Sequence, residues 1–266
     1  MSGSDAGGQT PSEAPLIEGV RLVQQFGGLR AVDTMSIDLR RGEILGLIGP
    51  NGAGKTTLFN LLAGSLRPTA GTIRIAGVDV SKAGPESRLK LGVGRTFQIP
   101  RPFAAMTVLE NVLTGGQKQA GERIAMNFLQ PRRVATEERR AVEKARALLD
   151  FVGLSRLESE PARILSGGQR KLLELARILM AEPQAILLDE PAAGVNPTLL
   201  ELIIDRLKTL NAQGTTILLI EHNMDMVARL CGRVVAMASG RWLAEGTPSA
   251  VAADPTVIAA YLGEAA

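Results

Sequence analysis

The stretch Gly49-Pro50-Asn51-Gly52-Ala53-Gly54-Lys55-Thr56 decides how this chain is organised. It matches the pattern G-x-x-x-x-G-K-[ST] at every fixed position, and it follows the apolar run Ile44-Leu45-Gly46-Leu47-Ile48, which predicts a buried strand. The glycines allow the backbone to curl until successive N–H groups point inward, and a helix over residues 55–63 adds its positive N-terminal end. The stretch therefore predicts a phosphate-binding loop between a strand and a helix.

The side chains at the end of this loop fit a nucleoside triphosphate. Lys55 is expected to reach the β and γ phosphates. The hydroxyl of Thr56 is expected to hold Mg²⁺, a hard cation that prefers oxygen ligands, and we include the neighbouring Thr57 among the nucleotide-binding residues. A flexible glycine turn is the alternative, but it does not explain why strand, spacing, lysine and hydroxyl coincide.

The composition is that of a globular protein. Of the 266 residues, 45% are hydrophobic and 21% are charged, which disfavours a disordered chain. The net charge is only +3 and the basic residues are scattered, so nothing in the charge predicts a nucleic-acid partner. No apolar run approaches the roughly 18 residues that a membrane span needs, and the lone Cys231 cannot form an internal disulfide. We expect a cytoplasmic protein.

The N-terminal third predicts a layer of antiparallel strands beside the phosphate-binding loop. Residues 1–15 are small and polar, which predicts a disordered tail. Three short runs, at 20–23, 35–39 and 72–75, are of β type and are separated by glycine-rich turns. We expect the nucleotide base to lie against this layer.

The middle of the chain changes to a helical pattern. It extends from about residue 92 to 165, and residues 135–151 carry an apolar stripe at helical spacing. Apolar strands return at 185–188 and 216–220, each preceded by a helix, as crossovers between parallel strands require. The sequence therefore predicts an α/β core that is interrupted by a helical insert.

Ionisable residues follow both of these later strands directly. Because ligands collect outside the carboxyl ends of strands in open parallel sheets, we expect Asp189 to hold Mg²⁺ and Glu190 to orient and deprotonate the attacking water. An acidic strand-to-loop turn is the alternative for this pair. His222 is the only histidine, and a lone histidine is more often a packed or surface residue. At a strand end it could instead contact the γ phosphate and hold Glu190 in register.

A second stretch, Leu165-Ser166-Gly167-Gly168-Gln169, predicts a further anion site. Ser166 is suited to cap a helix that runs from Gln169 to about residue 180. The hydroxyl of Ser166, the amides of Gly167 and Gly168 and the helix dipole would then face one anion. A capped helix after a glycine turn is the alternative. One chain cannot fold both sites onto the same phosphate.

Together these motifs resemble the ATP-binding cassette (ABC) ATPase family over residues 16–265. The resemblance implies an α/β fold with a RecA-like P-loop NTPase core (16–91 and 166–266), an antiparallel β subdomain and a helical subdomain at about 92–165. It implies ATP and Mg²⁺ as ligands and hydrolysis of ATP to ADP and phosphate. It also implies a head-to-tail dimer in which each ATP lies between the glycine loop of one subunit and residues 165–169 of the other.

The resemblance also gives the motifs their family roles. The loop at 49–56 corresponds to Walker A, 185–190 to Walker B with its catalytic glutamate, 165–169 to the signature sequence, Gln98 to the Q-loop and His222 to the switch histidine. Gln98 would sense Mg²⁺ or water, so we assign it to both the nucleotide and the metal. Residues 99–103 would line a groove for a coupling helix of a membrane subunit; the alternative is a proline-rich loop.

Phe26 falls where the family places an aromatic residue that stacks on adenine. Stacking of a base on an aromatic ring is worth roughly 1–3 kcal/mol. Phe26 lacks the hydroxyl of the commoner tyrosine, and filling the β layer is the alternative role for its ring.

Four further segments narrow the resemblance to the first ATPase subunit of bacterial high-affinity branched-chain amino acid importers. They are residues 95–98, 189–197, 220–224 and 260–265. Asn196 departs from the aspartate usual in the wider family, and Asn223 departs from the aspartate usual in the subgroup. Both departures leave the roles of these two positions open.

The resemblance implies partners and a location. The partners are a second, similar ATPase chain, two membrane permease subunits and, indirectly, an extracytoplasmic solute-binding protein, which would place the chain on the cytoplasmic face of the inner membrane. Alternatives within transport are urea or short-amide importers and lipopolysaccharide export. A soluble ABC protein acting on nucleic acid or ribosomes is an alternative from another class. Such proteins usually have two fused cassettes or long coiled coils, whereas this sequence shows one set of cassette motifs and no heptad array, which disfavours them. A regulatory module without hydrolysis is disfavoured by the intact Lys55, Glu190 and His222.

Overall fold

The computed structural model describes residues 14–96, 102–117 and 131–263, and its strands form two sheets. The strands are β1 Ile17–Phe26, β2 Leu29–Leu39, β3 Ile44–Ile48, β4 Ala70–Ile75, β5 Val78–Asp79, β6 Val93–Arg95, β7 Ala185–Asp189, β8 Thr216–Ile220, β9 Arg233–Ala238 and β10 Arg241–Gly246. One sheet has the order β2-β1-β4-β5 and the other has the order β10-β9-β3-β8-β7-β6. The second sheet is parallel except for β10, which is antiparallel to β9.

Nine helices occur in the described ranges. They are α1 Lys55–Ala63, α2 Pro85–Lys90, α3 Val108–Leu113, α4 Pro131–Phe151, α5 Gly167–Leu179, α6 Pro197–Ala212, α7 Met224–Leu230, α8 Pro248–Ala252 and α9 Pro255–Leu262. Two short 3₁₀ turns, at Ser155–Leu157 and Ala162–Ile164, connect α4 to α5. Within the described residues, no helix has both the length and the apolar content that crossing a bilayer would take.

The three central strands of the six-stranded sheet are buried on both faces. All five residues of β3, β7 and β8 are buried, which explains why these strands are nearly continuous apolar runs rather than alternating ones. On one face, Leu45 and Leu187 pack in a cluster with Phe59 of α1 and with the four-stranded sheet. On the other face, Ile44 and Ile186 pack with α5, α6 and α7. Burial stabilises the fold by about 1.5–3 kcal/mol for each large aliphatic side chain.

The antiparallel layer is present as predicted. The three short runs at 20–23, 35–39 and 72–75 are parts of the longer strands β1, β2 and β4, and β1 pairs antiparallel with both of the others. The turn between β1 and β2 contains Gly27, whose φ of 57° lies in the left-handed region that glycine adopts without strain. This hairpin brings the start of β2 beside the phosphate-binding loop.

The helical segment begins later than the sequence pattern indicates. Residues 93–95 form β6, which pairs with β7 at the edge of the six-stranded sheet, so these residues belong to the core rather than to a helical subdomain that starts at about 92. A three-residue strand between a helix and a loop carries too little pattern to be recognised. The helix predicted over 135–151 begins four residues earlier, at Pro131.

Candidate nucleotide site

The phosphate-binding loop joins β3 to α1, as the glycine pattern predicts. Gly54 has a φ of 98°, and a Cβ built on it would lie 2.2 Å from the carbonyl oxygen of Ala31. A Cβ on Gly49 would lie 2.1 Å from the carbonyl oxygen of Met237. Neither position can carry a side chain without moving the neighbouring backbone. The two glycines therefore fix how closely the loop packs on β2 and β9.

The N-terminus of α1 has the features of an anion site. Gly54 precedes the helix without a side-chain cap, and the first turn of the helix contains no acidic residue. The N-terminus of α1 can therefore face an external acceptor, and the helix dipole favours a negative one. The buried Lys55 folds back over the loop, where Nζ donates to the carbonyl oxygens of Gly49 at 2.6 Å and Pro50 at 2.7 Å.

A cleft of about 1100 Å³ brings this loop together with the ionisable residues of the later strands. Its lining includes Asn51, Gly52, Ala53, Gly54, Lys55, Thr56 and Thr57 from the loop and the start of α1. Glu190 and His222 line the same cleft. Residues 51–57 of the predicted phosphate-binding set therefore share one cavity with the two predicted catalytic residues, whereas Gly49 and Pro50 do not line it.

Glu190 and His222 are in direct contact. Nε2 of His222 lies 2.9 Å from Oε1 of Glu190, with 40% of the histidine side chain and 22% of the glutamate side chain exposed. Glu190 has a φ of 50°, in the left-handed region that costs a residue with a Cβ about 1–3 kcal/mol. Five other non-glycine residues of the described ranges share this conformation, so it is the position of Glu190 in the cleft, together with the strain, that indicates a functional role.

Asp189 ends β7 beside Glu190 and is almost completely buried. Burial, and after it the charge of Glu190, raise the pKa of its carboxyl to about 6 against the opposing charges of Arg95 and Lys55. Within the described residues, Oδ1 of Asp189 has no hydrogen-bond partner. A buried, unpartnered carboxylate oxygen fits a divalent cation, which is the role that the sequence predicts.

The described residues contain no cluster of three or more histidine, cysteine or carboxylate side chains that could hold a metal ion by themselves. A cation beside Asp189 would therefore take its other ligands from hydroxyl, amide and phosphate oxygens. This agrees with the expected use of the Thr56 hydroxyl and a bound triphosphate, because Mg²⁺ in such sites is held by few protein ligands.

The second predicted anion site lies at the start of α5. Ser166 caps the helix: its Oγ accepts from the N–H of Gln169 at 3.3 Å, and Oε1 of Gln169 accepts from the N–H of Ser166 at 2.9 Å. A Cβ on Gly167 would meet nothing within 4 Å, whereas one on Gly168 would lie 2.7 Å from a methyl carbon of Leu199. The side of the turn at Gly167 is therefore open to a ligand.

Residues 166–169 do not line the cleft that holds Lys55 and Glu190. The structure therefore brings together the loop, Glu190 and His222, but not the second anion site. Gln98 lies outside the described residues, as do the predicted groove residues 99–101.

Phe26 stands at the end of β1 with 48% of its surface exposed, and it is not among the residues that line the cleft. The next residues of the hairpin, Leu29, Arg30 and Ala31, do line it, together with Ser239 and Gly240. The sequence analysis missed these five positions. The glycine pair at 27 and 28 was the available signal, since a tight hairpin at that point brings the start of β2 towards the loop.

Two further residues near Glu190 were also missed. Nζ of Lys171, on α5, donates to the carbonyl oxygen of Glu190 at 2.6 Å. The buried carboxylate of Glu221 accepts from the N–H groups of Ala192 at 2.6 Å and His222 at 3.0 Å. No sequence motif predicts these contacts, because the partners of Lys171 and Glu221 are main-chain groups, which every residue type carries.

The two asparagines that depart from the family pattern both cap helices. Oδ1 of Asn196 accepts from the N–H of Leu199 at 2.9 Å at the start of α6. Oδ1 of Asn223 accepts from the N–H of Met226 at 3.0 Å at the start of α7. Asparagine and aspartate are equally good N-caps, so both substitutions keep the local structure.

Comparison with protein families agrees with this geometry. Residues 32–193 match the model of the ABC transporter family. The chain belongs to this family. As an ABC transporter ATPase subunit it binds and hydrolyses ATP, and the predicted α/β, P-loop type of fold is confirmed. Residues 243–266 match a second model, described as branched-chain amino acid ATP-binding cassette transporter.

Individual relatives of this ABC ATPase cover nearly its whole length. It is 40% identical over 252 residues to the high-affinity branched-chain amino acid transport ATP-binding protein LivG of Salmonella typhimurium, covering 94% of this chain and 99% of the relative. It is 39% identical over 248 residues to the probable branched-chain amino acid transport ATP-binding protein LivG of Archaeoglobus fulgidus, covering 93% and 95%.

Solved structures show the same architecture. A nucleotide-free ATP-binding cassette from an ABC transporter superimposes with a TM-score of 0.80 at 37% identity, covering 93% of this chain and 98% of the other. An ATP-binding cassette of an ABC transporter in its ADP conformation gives a TM-score of 0.79 at 36% identity, covering 94% and 99%.

Proposed function

We propose that this ABC ATPase powers the import of branched-chain or other hydrophobic amino acids. The relatives that match nearly the whole chain carry branched-chain amino acid transport in their names. A model described in the same terms matches residues 243–266; of these, residues 243–263 include α8 and α9 and do not line the nucleotide cleft. This C-terminal match favours amino-acid import over urea import or lipopolysaccharide export, because it is independent of the motifs that all ABC ATPases share.

The observation that carries the catalytic assignment is the contact between Glu190 and His222 inside the cleft of the phosphate-binding loop. In our proposal the loop amides and Lys55 hold the β and γ phosphates of ATP, with Thr56 and Thr57 at the start of α1. Asp189 and Thr56 hold Mg²⁺, with Gln98 as a further ligand. The ion would neutralise charge that develops on the phosphate oxygens.

Glu190 acts as the general base in this proposal. Its carboxylate accepts a proton from the attacking water at Oε1 or Oε2, and His222 holds the carboxylate in place through Nε2. Assistance of this kind accelerates a reaction by about 10²- to 10⁴-fold. The half-exposed position of the histidine ring leaves it accessible to the γ phosphate from the cleft.

A second ATPase chain completes each site in our proposal. Ser166, Gly167, Gly168 and Gln169 would contact the γ phosphate of the ATP held by a partner, in a head-to-tail dimer. Two observations support this arrangement: these residues are absent from the lining of their own chain's cleft, and Gly167 has open space beside it. A helix start with an exposed glycine suits an anion that arrives from outside.

We also propose that two permease subunits dock on the chain at the cytoplasmic face of the inner membrane, with a solute-binding protein outside. A cleft of about 1010 Å³ between the core and the helical segment supports a docking site, and its lining includes Arg95, residues 114–117 and Arg177. Phe103, which is 52% exposed, lies over the guanidinium of Arg177 at 5.3 Å. Aromatic side chains are enriched in protein interfaces, so an exposed Phe103 on a lining residue of the cleft suits an inserted helix.

The function is tested by transport in proteoliposomes that contain the chain, its permeases and its binding protein. We expect ATP-dependent uptake of labelled leucine, isoleucine or valine, and loss of this uptake when Glu190→Gln replaces the natural chain. Uptake of urea instead of these amino acids, or ATP-dependent release of lipopolysaccharide, would contradict the proposed substrate class. Uptake without ATP hydrolysis would contradict the proposed energy source.

A further inference from the structure

Residues 190–192 are held from two sides by ionised side chains that belong to other elements. From α5, Nζ of Lys171 donates to the carbonyl oxygens of Glu190 at 2.6 Å and Pro191 at 3.3 Å. From the end of β8, Oε1 of Glu221 accepts from the N–H of Ala192 at 2.6 Å. The ammonium group of Lys171 thus binds two carbonyl oxygens of this segment, and the carboxylate of Glu221 binds one of its N–H groups.

The segment needs such support because its backbone is strained. Glu190 has a φ of 50°, a conformation that a side chain with a Cβ rarely adopts. Its own N–H donates to the carbonyl oxygen of Ile220 at 3.0 Å, so β7 and β8 remain paired up to this point. Beyond it, Lys171 and Glu221 hold the chain together with one main-chain bond, from the N–H of Ala193 to the carbonyl oxygen of Glu190 at 3.2 Å. Strained residues persist only where the surroundings determine their geometry.

Glu221 connects this segment to His222. Its Oε2 accepts from the N–H groups of His222 at 3.0 Å and Asn223 at 3.1 Å, while Oε1 holds Ala192. The carboxylate is almost fully buried, with 2% of the residue exposed. A buried carboxylate with three main-chain donors is rigid, because each donor that is lost removes part of the hydrogen bonding that offsets the burial of its charge. It therefore sets the spacing between the loops that carry Glu190 and His222.

Lys171 connects the same segment to the capped turn at Ser166. It lies on α5 two residues after Gln169, in the first turns of the helix that Ser166 caps. Burial lowers the pKa of its ammonium group, and four carboxylates oppose this: Glu221, Glu190, Glu174 and Asp189. A rotation or shift of α5 would move Nζ and with it the carbonyl groups of Glu190 and Pro191.

We propose that Lys171 and Glu221 are positioning residues for ATP hydrolysis, which hold the main chain at 190–192 so that the Glu190 carboxylate stays against His222. Through Lys171, binding of a partner's nucleotide at residues 166–169 acts on the base of this chain's own site. This inference rests on the proposed dimer and on Glu190 as the base.

The first test compares Lys171→Met with Lys171→Arg, with Lys144→Met as the matched control. Lys144 on α4 also donates to a carbonyl oxygen, that of Met180 at 2.9 Å, and pairs with Glu182, but it lies outside the nucleotide cleft. In the assembled transporter we expect Lys171→Met to lower kcat by about 10- to 100-fold, the effect of a misplaced group, with a nearly unchanged KM for ATP. Lys171→Arg should restore part of kcat, and Lys144→Met should leave it unchanged.

The Hill coefficient for ATP measures coupling between the two nucleotide sites, and it separates a positioning role of Lys171 from a role in folding alone. We expect the Hill coefficient for ATP to fall towards one in Lys171→Met but not in Glu221→Gln, which should lower kcat alone. An unchanged kcat in Lys171→Met, or a loss that Lys144→Met shares, would overturn the proposal. Lys171→Met could fail to fold, and the other two variants then decide. The proposal is overturned if Lys171→Arg keeps its kcat and Hill coefficient and Glu221→Gln turns over ATP normally.

A variant of the base distinguishes this inference from the proposed function. Glu190→Gln is measured in the same preparation. If it turns over ATP normally, the assignment of the base is wrong and the inference fails with it. If it is inactive while Lys171→Met and Glu221→Gln are as active as the natural chain, the proposed function stands and only the positioning role is refuted.

Discussion

His222 Nε2 lies 2.9 Å from Glu190 Oε1, although the two residues are 32 positions apart. The register of two adjacent parallel strands explains this proximity. Asp189 of β7 pairs with Ile220 of β8, so the residues that follow each strand leave the sheet at the same edge. The phosphate-binding loop leaves the neighbouring β3 at that edge too. A base, its partner and an anion site therefore meet because three buried strands end together.

Replacing Glu190 with glutamine should abolish steady-state ATP hydrolysis and retain ATP binding. The amide keeps the size of the side chain but cannot accept the proton of the attacking water. The bound triphosphate should then persist and stabilise a dimer. Phosphate release and size-exclusion chromatography with ATP measure the two effects, and normal turnover would refute the role of Glu190. A nucleotide-bound crystal in which the triphosphate contacts only its own chain would refute the dimer.

His222→Ala should lower kcat by about 10²- to 10⁴-fold, because the Glu190 carboxylate loses its contact at Nε2. The affinity for ATP should change much less, since the loop and Lys55 remain. Met224→Ala is a suitable control: it lies two residues further on, and its side chain is exposed. Steady-state kinetics and equilibrium binding of a fluorescent ATP analogue separate the two quantities. Equal losses in both variants would mean that the histidine only supports the loop.

Much of this arrangement could be predicted from the sequence, because it depends on local patterns. The strand Ile44–Ile48 and the helix Lys55–Ala63 have the predicted bounds, and Ser166 caps α5 as its side chain indicates. The predicted partners of Glu190 were limited to side chains that follow a strand end. Lys171 lies within a helix, and Glu221 follows a strand end but was given no partner, because contacts to main-chain groups 19 and 29 residues away leave no pattern in the sequence.

The residues at the start of β2 that line the cleft could not be predicted from the sequence either. The sequence predicts a strand and a glycine turn, but which residue of the hairpin faces the loop depends on the register between β1 and β2. That register is irregular, with shifts between Leu22 and Gln24 and between Gln24 and Gln25. Each shift of one residue moves side chains to the other face of the sheet. The structure places Leu29, Arg30 and Ala31 in the lining of the cleft, but not Phe26.

The buried carboxyl of Asp189 should make the stability of the nucleotide-free protein depend on pH. Its pKa in the folded protein is raised from 3.8 to about 6, so the folded state takes up a proton more readily than the unfolded chain between these values. Stability is therefore lost as the pH rises through about 6. A pKa rise of this size corresponds to at most about 3 kcal/mol in the free energy of unfolding at pH 8.

Asp189→Asn removes this ionisation. The variant should be more stable than the natural chain at pH 8, and the advantage should shrink as the pH falls to 4. Urea unfolding at the two pH values, with no nucleotide or divalent cation present, measures the difference. An advantage of the same size at both pH values would show that the ionised carboxylate is not the cause.

Gly54→Ala should disrupt the phosphate-binding loop. Its φ of 98° disfavours any residue with a Cβ, and the new carbon would lie 2.2 Å from the carbonyl oxygen of Ala31. The loop would have to move away from β2, so we expect the affinity for ATP to fall by at least about tenfold, the equivalent of 1–2 kcal/mol of strain. Gly232→Ala is the control, because a Cβ there meets nothing within 4 Å. Wild-type affinity in Gly54→Ala would contradict the geometry of the loop.

Arg88 should be among the side chains on which the stability of the nucleotide site depends. It is 1% exposed, and its guanidinium donates to the carbonyl oxygens of Leu61 at 2.5 Å, of Leu62, and of Val80 at 3.0 Å. It therefore closes the C-terminus of α1, the helix whose N-terminus faces the phosphates. Burial lowers the pKa of this guanidinium to about 10, which leaves it charged at pH 7.

Arg88→Met keeps an apolar stem and removes the donors, so three buried carbonyl groups lose a charged partner. The carbonyl groups of Leu61 and Val80 keep the main-chain donors Gly64 and Ala83, so we expect the free energy of unfolding in urea to fall by about 1.5–3 kcal/mol, the contribution of a hydrogen bond to a charged group. Arg74→Met is the comparison, because its exposed pair with Glu18 is worth at most about 1 kcal/mol. Saturating ATP should recover part of the loss in Arg88→Met, because the ligand binds only the folded loop at the other end of α1. If the two variants lose equal stability, the guanidinium does not support the helix, and α1 is held by its apolar packing alone.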